Sequence, residues 1–297
     1  VKYMDFKFSE SYDEGELKSR KRKKIRLDDN MKKIITIVIF IVVMVGAFIL
    51  LFRLLNKNKQ VKYSKVDKND TLIQELYKAI SFDGNTGVRS DFFVKDNVIY
   101  TDFNNDNKFY YALYNISPKD FTKTNIKDGN NNYYSLPVSV VDQYMLSFFG
   151  QDVSYTMNTE VNLVLNTKIG DYNAGMLFYN KSTKDYRIVF DKLVEKKWEL
   201  PKFISKLDSA YKSNKGDIKL VEKIIYLDCN VVNNKYKCNI NRDYQGKKLI
   251  ISRDMSKEDI DKLSVDDYSN LASTITYTFK SDPVKKGSYY FYSSEIK

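Results

Sequence analysis

Nineteen consecutive residues without a charge, Ile34 to Phe52 (IITIVIFIVVMVGAFILLF), constrain this chain more than any other feature. As an α-helix rising about 1.5 Å per residue the run is about 28 Å long, close to the roughly 30 Å hydrocarbon core of a bilayer. A backbone crossing lipid has to satisfy its own hydrogen bonds, and a helix does so within one segment. The β-branched residues do not oppose this, because lipid burial overrides propensities measured in water. A buried helix of a soluble protein rarely stays apolar on every face over such a length. The expectation is a single transmembrane helix over 34–54, with the membrane as a partner through Ile34–Phe52.

Charge on the two flanks predicts the orientation. Arg20, Lys21, Arg22, Lys23, Lys24, Arg26, Lys32 and Lys33 precede the run, whereas Arg53, Lys57, Lys59, Lys62 and Lys65 follow it. The excess on the N-terminal side favours a cytoplasmic N-terminus and an extracytoplasmic C-terminal part. A cleaved signal peptide starting at Met31 fits less well, since the apolar run is too long and no A-x-A-like site follows before Arg53. No cysteine follows the run for lipoprotein processing. An uncleaved signal-anchor is the better fit, and Val1 leaves the start of the tail open.

Residues 1–33 read as a disordered cytoplasmic tail, with the RKRKK block as a topology determinant beside anionic lipid rather than a nucleic-acid patch. Residues 55–68 read as a short basic stalk, and 69–297 as one extracytoplasmic domain, with a soft division near 150. Net charge is +11, of which 1–33 supply +4 from 11 basic and 7 acidic residues. The remaining +7 is spread over 264 residues, so no nucleic-acid partner is expected. The 24 Tyr, 18 Phe and many Asn, Ile and Lys against 4 Pro point to AT-rich codon usage. Aromatic clusters are therefore weak signals.

Within 69–297, Asn69 or Asp70 is placed to cap a helix over TLIQELYKAI. FDGNTG reads as a loop, and FFVKDNVIYT as strand-like with a turn at Asp96-Asn97. Helices are predicted over Asn104–Ile116 and Leu136–Phe149, the second with Pro137 in its first turn and Gly150 as a left-handed cap. Beyond Gly150 the apolar period shifts toward two, with strands over VSYTM, VNLVLNT, AGMLFYN and DYRIVFDKL. A hairpin turning at Asn214–Gly216 follows, although its first half could equally be a short helix. Short helices over MSKEDIDKLSVDDYSNL precede a terminal hairpin, Thr274–Lys280 and Ser288–Ser293. The predicted fold class is α+β: a transmembrane helix, then helices and a largely antiparallel sheet.

Both cysteines lie in IIYLDCNVVNNKYKCNI. A two-residue turn at Asn233-Asn234, both tolerant of the type I′ conformation, sets Cys229 opposite Cys238. Counting outward from the turn, this is a non-hydrogen-bonded pair, where side chains approach most closely. A Cys229–Cys238 disulfide is the expectation, in keeping with a domain outside the cytoplasm; free thiols are the alternative. A zinc site is not expected, because no histidine or third cysteine completes four ligands.

The absence of histidine removes Ser-His-Asp and Cys-His nucleophiles and H-E-x-x-H zinc chemistry. There is also no G-x-x-x-x-G-K-S/T, G-x-G-x-x-G or G-x-S-x-G motif. No cofactor or metal is expected, and no catalytic residue stands out. Asp102-Phe103-Asn104-Asn105-Asp106 has oxygens at calcium-loop positions 1, 3 and 5. It lacks the Gly at 6 and the Glu at 12, so a turn and helix cap is expected. Asp261, Asp266 and Asp267 read as solvated surface. Tyr110-Tyr111, Tyr133-Tyr134 and Tyr289-Tyr290-Phe291-Tyr292 are candidate stacking surfaces, with about half of each expected in the core. Asn115-Ile116-Ser117 and Asn180-Lys181-Ser182 match the glycosylation acceptor pattern.

The plan of tail, anchor and outer domain resembles a loose group of uncharacterised single-pass membrane-anchored proteins of AT-rich, Gram-positive-type bacteria. The likeness is carried by Ile34–Phe52, by KGDIKLVEKIIYL at Lys215–Leu227 and by the ending Tyr277–Glu295. It implies an envelope-facing domain and transfers no catalytic residue. The function expected is binding of an envelope or protein partner near the membrane. The alternative is a histidine-free enzyme acting on an envelope polymer through paired carboxylates. A third reading makes the transmembrane helix the recognition element, with Gly46 and Ala47 as its one small patch.

Overall fold

The chain divides after Gln60 into two units, Val1–Gln60 and Val61–Lys297. The computed structural model describes residues 28–57, 61–81, 92–128, 131–157, 159–170, 172–191, 200–232 and 235–297. In the first unit α1 (Asp29–Lys57) is one helix, whose uncharged stretch is apolar and exposed on all sides from Ile34 through Ile49. Its Asp29–Ile49 segment is, among the described residues, the one helix long and apolar enough to cross a membrane. A helix with no polar face has no stable place in water. The tail with its RKRKK block, the FDGNTG loop and the Asn233-Asn234 turn lie outside the described residues.

The second unit begins with β1 (Tyr63–Val66), α2 (Thr71–Ile80), β2 (Val98–Ile99), α3 (Asn105–Leu113), β3 (Thr122–Asp128), β4 (Asn131–Leu136) and α4 (Val138–Phe149). It continues with β5 (Val161–Ile169), β6 (Tyr172–Asn180), β7 (Asp185–Asp191), β8 (Phe203–Ser213), β9 (Ile218–Val232) and β10 (Lys235–Asn241). β11 (Leu249–Met255), α5 (Lys257–Asp261), β12 (Ser273–Ser281) and β13 (Tyr289–Ile296) complete it. The class is α+β, with every strand pairing antiparallel.

One sheet runs β1-β8-β9-β12-β13-β2 and continues through β10 and β11; the other runs β3-β4-β7-β6-β5. Strand β9 organises the first. Tyr226 is paired with both Phe203 and Asn241, so β10 takes over the edge that β12 leaves at Ile224. Successive side chains of a strand point to opposite faces. Ile218, Leu220, Ile224 and Tyr226 join the main core, while Ile225 and Leu227 join a second one with Cys238, Ile240, Met255 and Ile260. The near-continuous run IIYL therefore serves two cores.

Helices α3 and α4 occupy the space between the sheets, α4 against β13 and α3 against α4 and β5. Being covered on several sides, α3 buries Phe109 to Leu113 in succession. The Tyr111 ring lies 5.2–5.8 Å from Phe93, Phe103 and Phe148, and Phe109 lies 5.3 Å from Tyr186. Such edge-on and tilted aromatic packing contributes about 0.5–1.5 kcal/mol per pair beyond area burial. Gly150, at φ 83°, ends α4, and a Cβ there would stand 2.9 Å from the Tyr290 ring. The missing side chain lets β13 close onto the end of α4.

Several expectations change. β1 lies inside the expected stalk, where its four residues add an edge strand to β8. β3 and β4 were not legible, because TKTNIKD and NNYYSL lack a clear alternation. β4 pairs with β7, so segments on either side of residue 150 share one sheet. FFVKDNVIYT is a strand only at Val98–Ile99; Phe92, Phe93 and Val94 are drawn into the aromatic core in succession, which no strand period allows. VSYTM (153–157) forms no strand and runs as an irregular link. The hairpin turning at Asn214–Gly216 is found as expected, and of the two readings for its first half, strand or short helix, the strand holds. Pro137 precedes α4 as its cap rather than lying in its first turn.

Candidate functional site

Helix α2 starts at Asp70, whose side chain accepts from the Leu72 N–H at 2.9 Å, and it buries Ile73 and Ile80. It is tied to the sheet by Tyr77, whose hydroxyl donates to Glu222 Oε1 at 2.7 Å. Glu222 is fully buried on β9, and its Oε2 accepts from the Tyr277 hydroxyl at 2.6 Å. Tyr226, one strand turn away, donates to the Val94 carbonyl, and its hydroxyl is pushed well up, first by burial and then by Glu222.

Clefts open on both sides of α2, and Glu75 lines each. The smaller, about 450 Å³, reaches Lys78, Asn115, Pro118 and Asn166. The larger, about 570 Å³, lies between α2, α4 and the β12–β13 loop. There Asp282 Oδ1 accepts from the Val284 and Lys285 N–H groups at 2.8 and 3.1 Å. The Lys285 and Val284 N–H groups, with Gln151 as a further donor, hold the Asp282 carboxyl below the usual carboxylate range.

The face of the first sheet opposite the main core forms a second surface. Across it Lys219 pairs with Tyr211 and Thr278, Val221 with Thr276, and Lys223 with Thr274, all half-buried. Lys219 Nζ lies 4.4 Å from the Tyr63 ring centre, and Lys280 Nζ lies 5.1 Å from that of Tyr292. Asp217 sets Lys280 by an ion pair of 3.0 Å and raises its ammonium pKa above the usual value. Burial first, and the nearby Asp217 second, raise the Tyr63 hydroxyl. The result is a lysine, threonine and tyrosine surface with its aromatic rings held by cations.

Cys229 and Cys238 stand opposite each other in the β9–β10 ladder and form a disulfide, with Cα atoms 4.0 Å apart. That spacing is the close approach of a non-hydrogen-bonded pair. Asp102 accepts from the Ile99 N–H and Asn104 caps α3 through the Asn107 N–H, so the calcium-like segment is a turn and cap. No cluster of metal-ligating side chains occurs among the described residues. Asp266 pairs with Lys206, which holds its carboxyl below the usual range; Asp261 and Asp267 are exposed. Tyr110 and Tyr111 are core residues rather than a stacking surface. Of Tyr289–Tyr292, Phe291 is buried, Tyr292 is exposed, and Tyr133 and Tyr134 are half-buried. Asn115 accepts from Asn166, and Asn180 closes the β6–β7 turn through Ser182 and Thr183.

Sequence reasoning missed Glu222, the Asp217–Lys280 pair, and the cleft joining Glu75 to Asp282. Glu222 lies in an alternating strand pattern, VEKI, where a glutamate reads as solvent-facing. Only its parity with Ile218 and Leu220 hinted at the core face. No family model matches the chain, and no curated protein or solved structure matches it.

Proposed function

We propose that this chain is a single-pass membrane protein of a bacterial envelope. Its N-terminus lies in the cytoplasm, and residues 61–297 form an extracytoplasmic domain that binds an envelope or protein partner. The observation that carries the binding reading is the open sheet face. Tyr63 and Tyr292 sit at the solvent boundary with their rings already held by Lys219 and Lys280. Aromatic rings ordered before contact lose little conformational freedom on binding, which favours recognition. The flanking charges and the disulfide support the orientation.

A photo-crosslinking side chain placed at Thr276 in intact cells tests this reading. Crosslinked adducts that fall away in a Tyr63→Ala/Tyr292→Ala background are expected. No adduct from Thr276 or Thr278, while a probe at Lys286 does react, overturns it. Protease added outside the same cells is expected to digest residues beyond about 55 and spare the tail; the opposite pattern reverses the topology.

A paired-carboxylate enzyme is the second reading, favoured by Glu75 and Asp282 lining one cleft. Such chemistry needs one carboxyl raised so that it can donate a proton and a second held ionised; Asp282, held below the usual carboxylate range, fits only the ionised role.

A further inference from the structure

We propose that the larger cleft beside α2 is a binding site for a short neutral oligosaccharide. Its volume, about 570 Å³, falls within the roughly 300–1,000 Å³ of small-molecule sites. The site is built from three separate elements of the folded unit: α2, α4 with Gln151 just beyond it, and the β12–β13 loop.

The lining selects the ligand. Glu75, Gln143, Gln151 and Asp282 present four planar groups, two carboxylates and two primary amides. Each carboxylate accepts through two oxygens, and each amide offers one acceptor and two donors. Neighbouring hydroxyls of a sugar, each both donor and acceptor, match such planar pairs. Between them Leu72, Leu76 and Leu146 supply apolar wall against which the C–H face of a sugar ring packs.

Two of the polar groups are set in advance. Asp282 is fixed by the N–H groups of its own loop, and Gln151 donates to it. One amide N–H of Gln151 is thereby committed to Asp282. Pre-set partners reduce the ordering cost of binding.

Other ligand classes fit worse. Two carboxylates against the single ammonium of Lys285 disfavour an anion. A wholly apolar ligand would strip water from the carboxylates and amides and give no hydrogen bonds back. A cationic peptide side chain would meet the carboxylates but leave both amides unmatched.

The test uses the full-length chain in detergent with three probes: a neutral hexose trisaccharide, a neutral N-acetylhexosamine trisaccharide and a trilysine peptide. Saturation-transfer NMR is expected to show contact with at least one saccharide. Replacing two neutral hydrogen-bonding groups, Gln143→Ala with Gln151→Ala, is expected to weaken binding by about tenfold or more. Ser147→Trp, an exposed position on the cleft wall, is expected to block binding without removing any of the four planar groups. The intact disulfide and the melting curve report that each variant is folded. Failure of both saccharides at millimolar concentration overturns the proposal. So does binding that survives both the double variant and Ser147→Trp, or binding of trilysine alone.

Discussion

Tyr277 on β12 donates its hydroxyl to Glu222 on β9 across 2.6 Å, in the fully buried centre of the domain. The two residues are diagonal neighbours: Glu222 is paired with Ile275, and Tyr277 with Leu220. A second phenol, Tyr77 of α2, reaches the other carboxyl oxygen. Glu222 thus links two strands and the helix that walls both clefts. A hydrogen bond to a carboxyl contributes about 1–3 kcal/mol. Tyr277→Phe and Tyr77→Phe are each expected to destabilise the chain by about that amount in denaturant titration. Because they share Glu222, the double variant is expected to depart from the sum by more than about 0.5 kcal/mol. Strict additivity would show that the carboxyl is not shared.

Gly150 meets the ring of Tyr290 where any Cβ would stand at 2.9 Å, and its φ of 83° strains other residues. Gly150→Ala is expected to cost about 1–3 kcal/mol, seen as a lowered melting temperature. Adding Tyr290→Ala is expected to recover the steric part and leave the backbone part. No recovery would place the whole cost in the backbone.

Asp185 accepts from the hydroxyls of Ser135 and Thr183 and stands 3.5 Å from Arg187 Nε. Burial pushes its carboxyl up, but the hydroxyls and the guanidinium outweigh it, and the folded value lies below the usual 3.8. A depressed carboxyl stabilises the fold above its unfolded pKa and loses that contribution as pH falls through the folded one. Wild type is therefore expected to lose stability below about pH 4 more steeply than Asp185→Asn, as measured by denaturation midpoints across pH. Identical acid limbs would remove Asp185 from the account.

The Cys229–Cys238 bridge closes a short loop, which by loop entropy contributes about 2–3 kcal/mol. Unreduced protein is expected to show no reactive thiol and to gain two on reduction, with a lowered denaturation midpoint. Thiols titrating before reduction would contradict the bridge.

The candidate surfaces were only partly legible. Cys229 and Cys238 could be paired from sequence because a short hairpin carries its register within itself. Glu75 and Asp282 are 207 positions apart, and nothing in either neighbourhood marks them as sharing a cleft. Of Tyr110-Tyr111 about half was expected in the core, and both are buried, because a helix enclosed on several sides no longer keeps one apolar face. Tyr63 fell in an expected stalk, yet its ring stands over Lys219 of β9.

What the sequence determined by itself is local in origin: the apolar α1, the start of α2 at Asn69 or Asp70, the β12–β13 hairpin, and the disulfide register. Each follows from the chemistry of adjacent residues or from periodicity within one segment. Tertiary structure decided the rest: that β4 pairs with β7, that β9 divides its two faces between two cores, and that Glu222 lies beneath two tyrosines. These depend on contacts between distant segments, where burial is set by what the rest of the chain places opposite a residue rather than by its own neighbours.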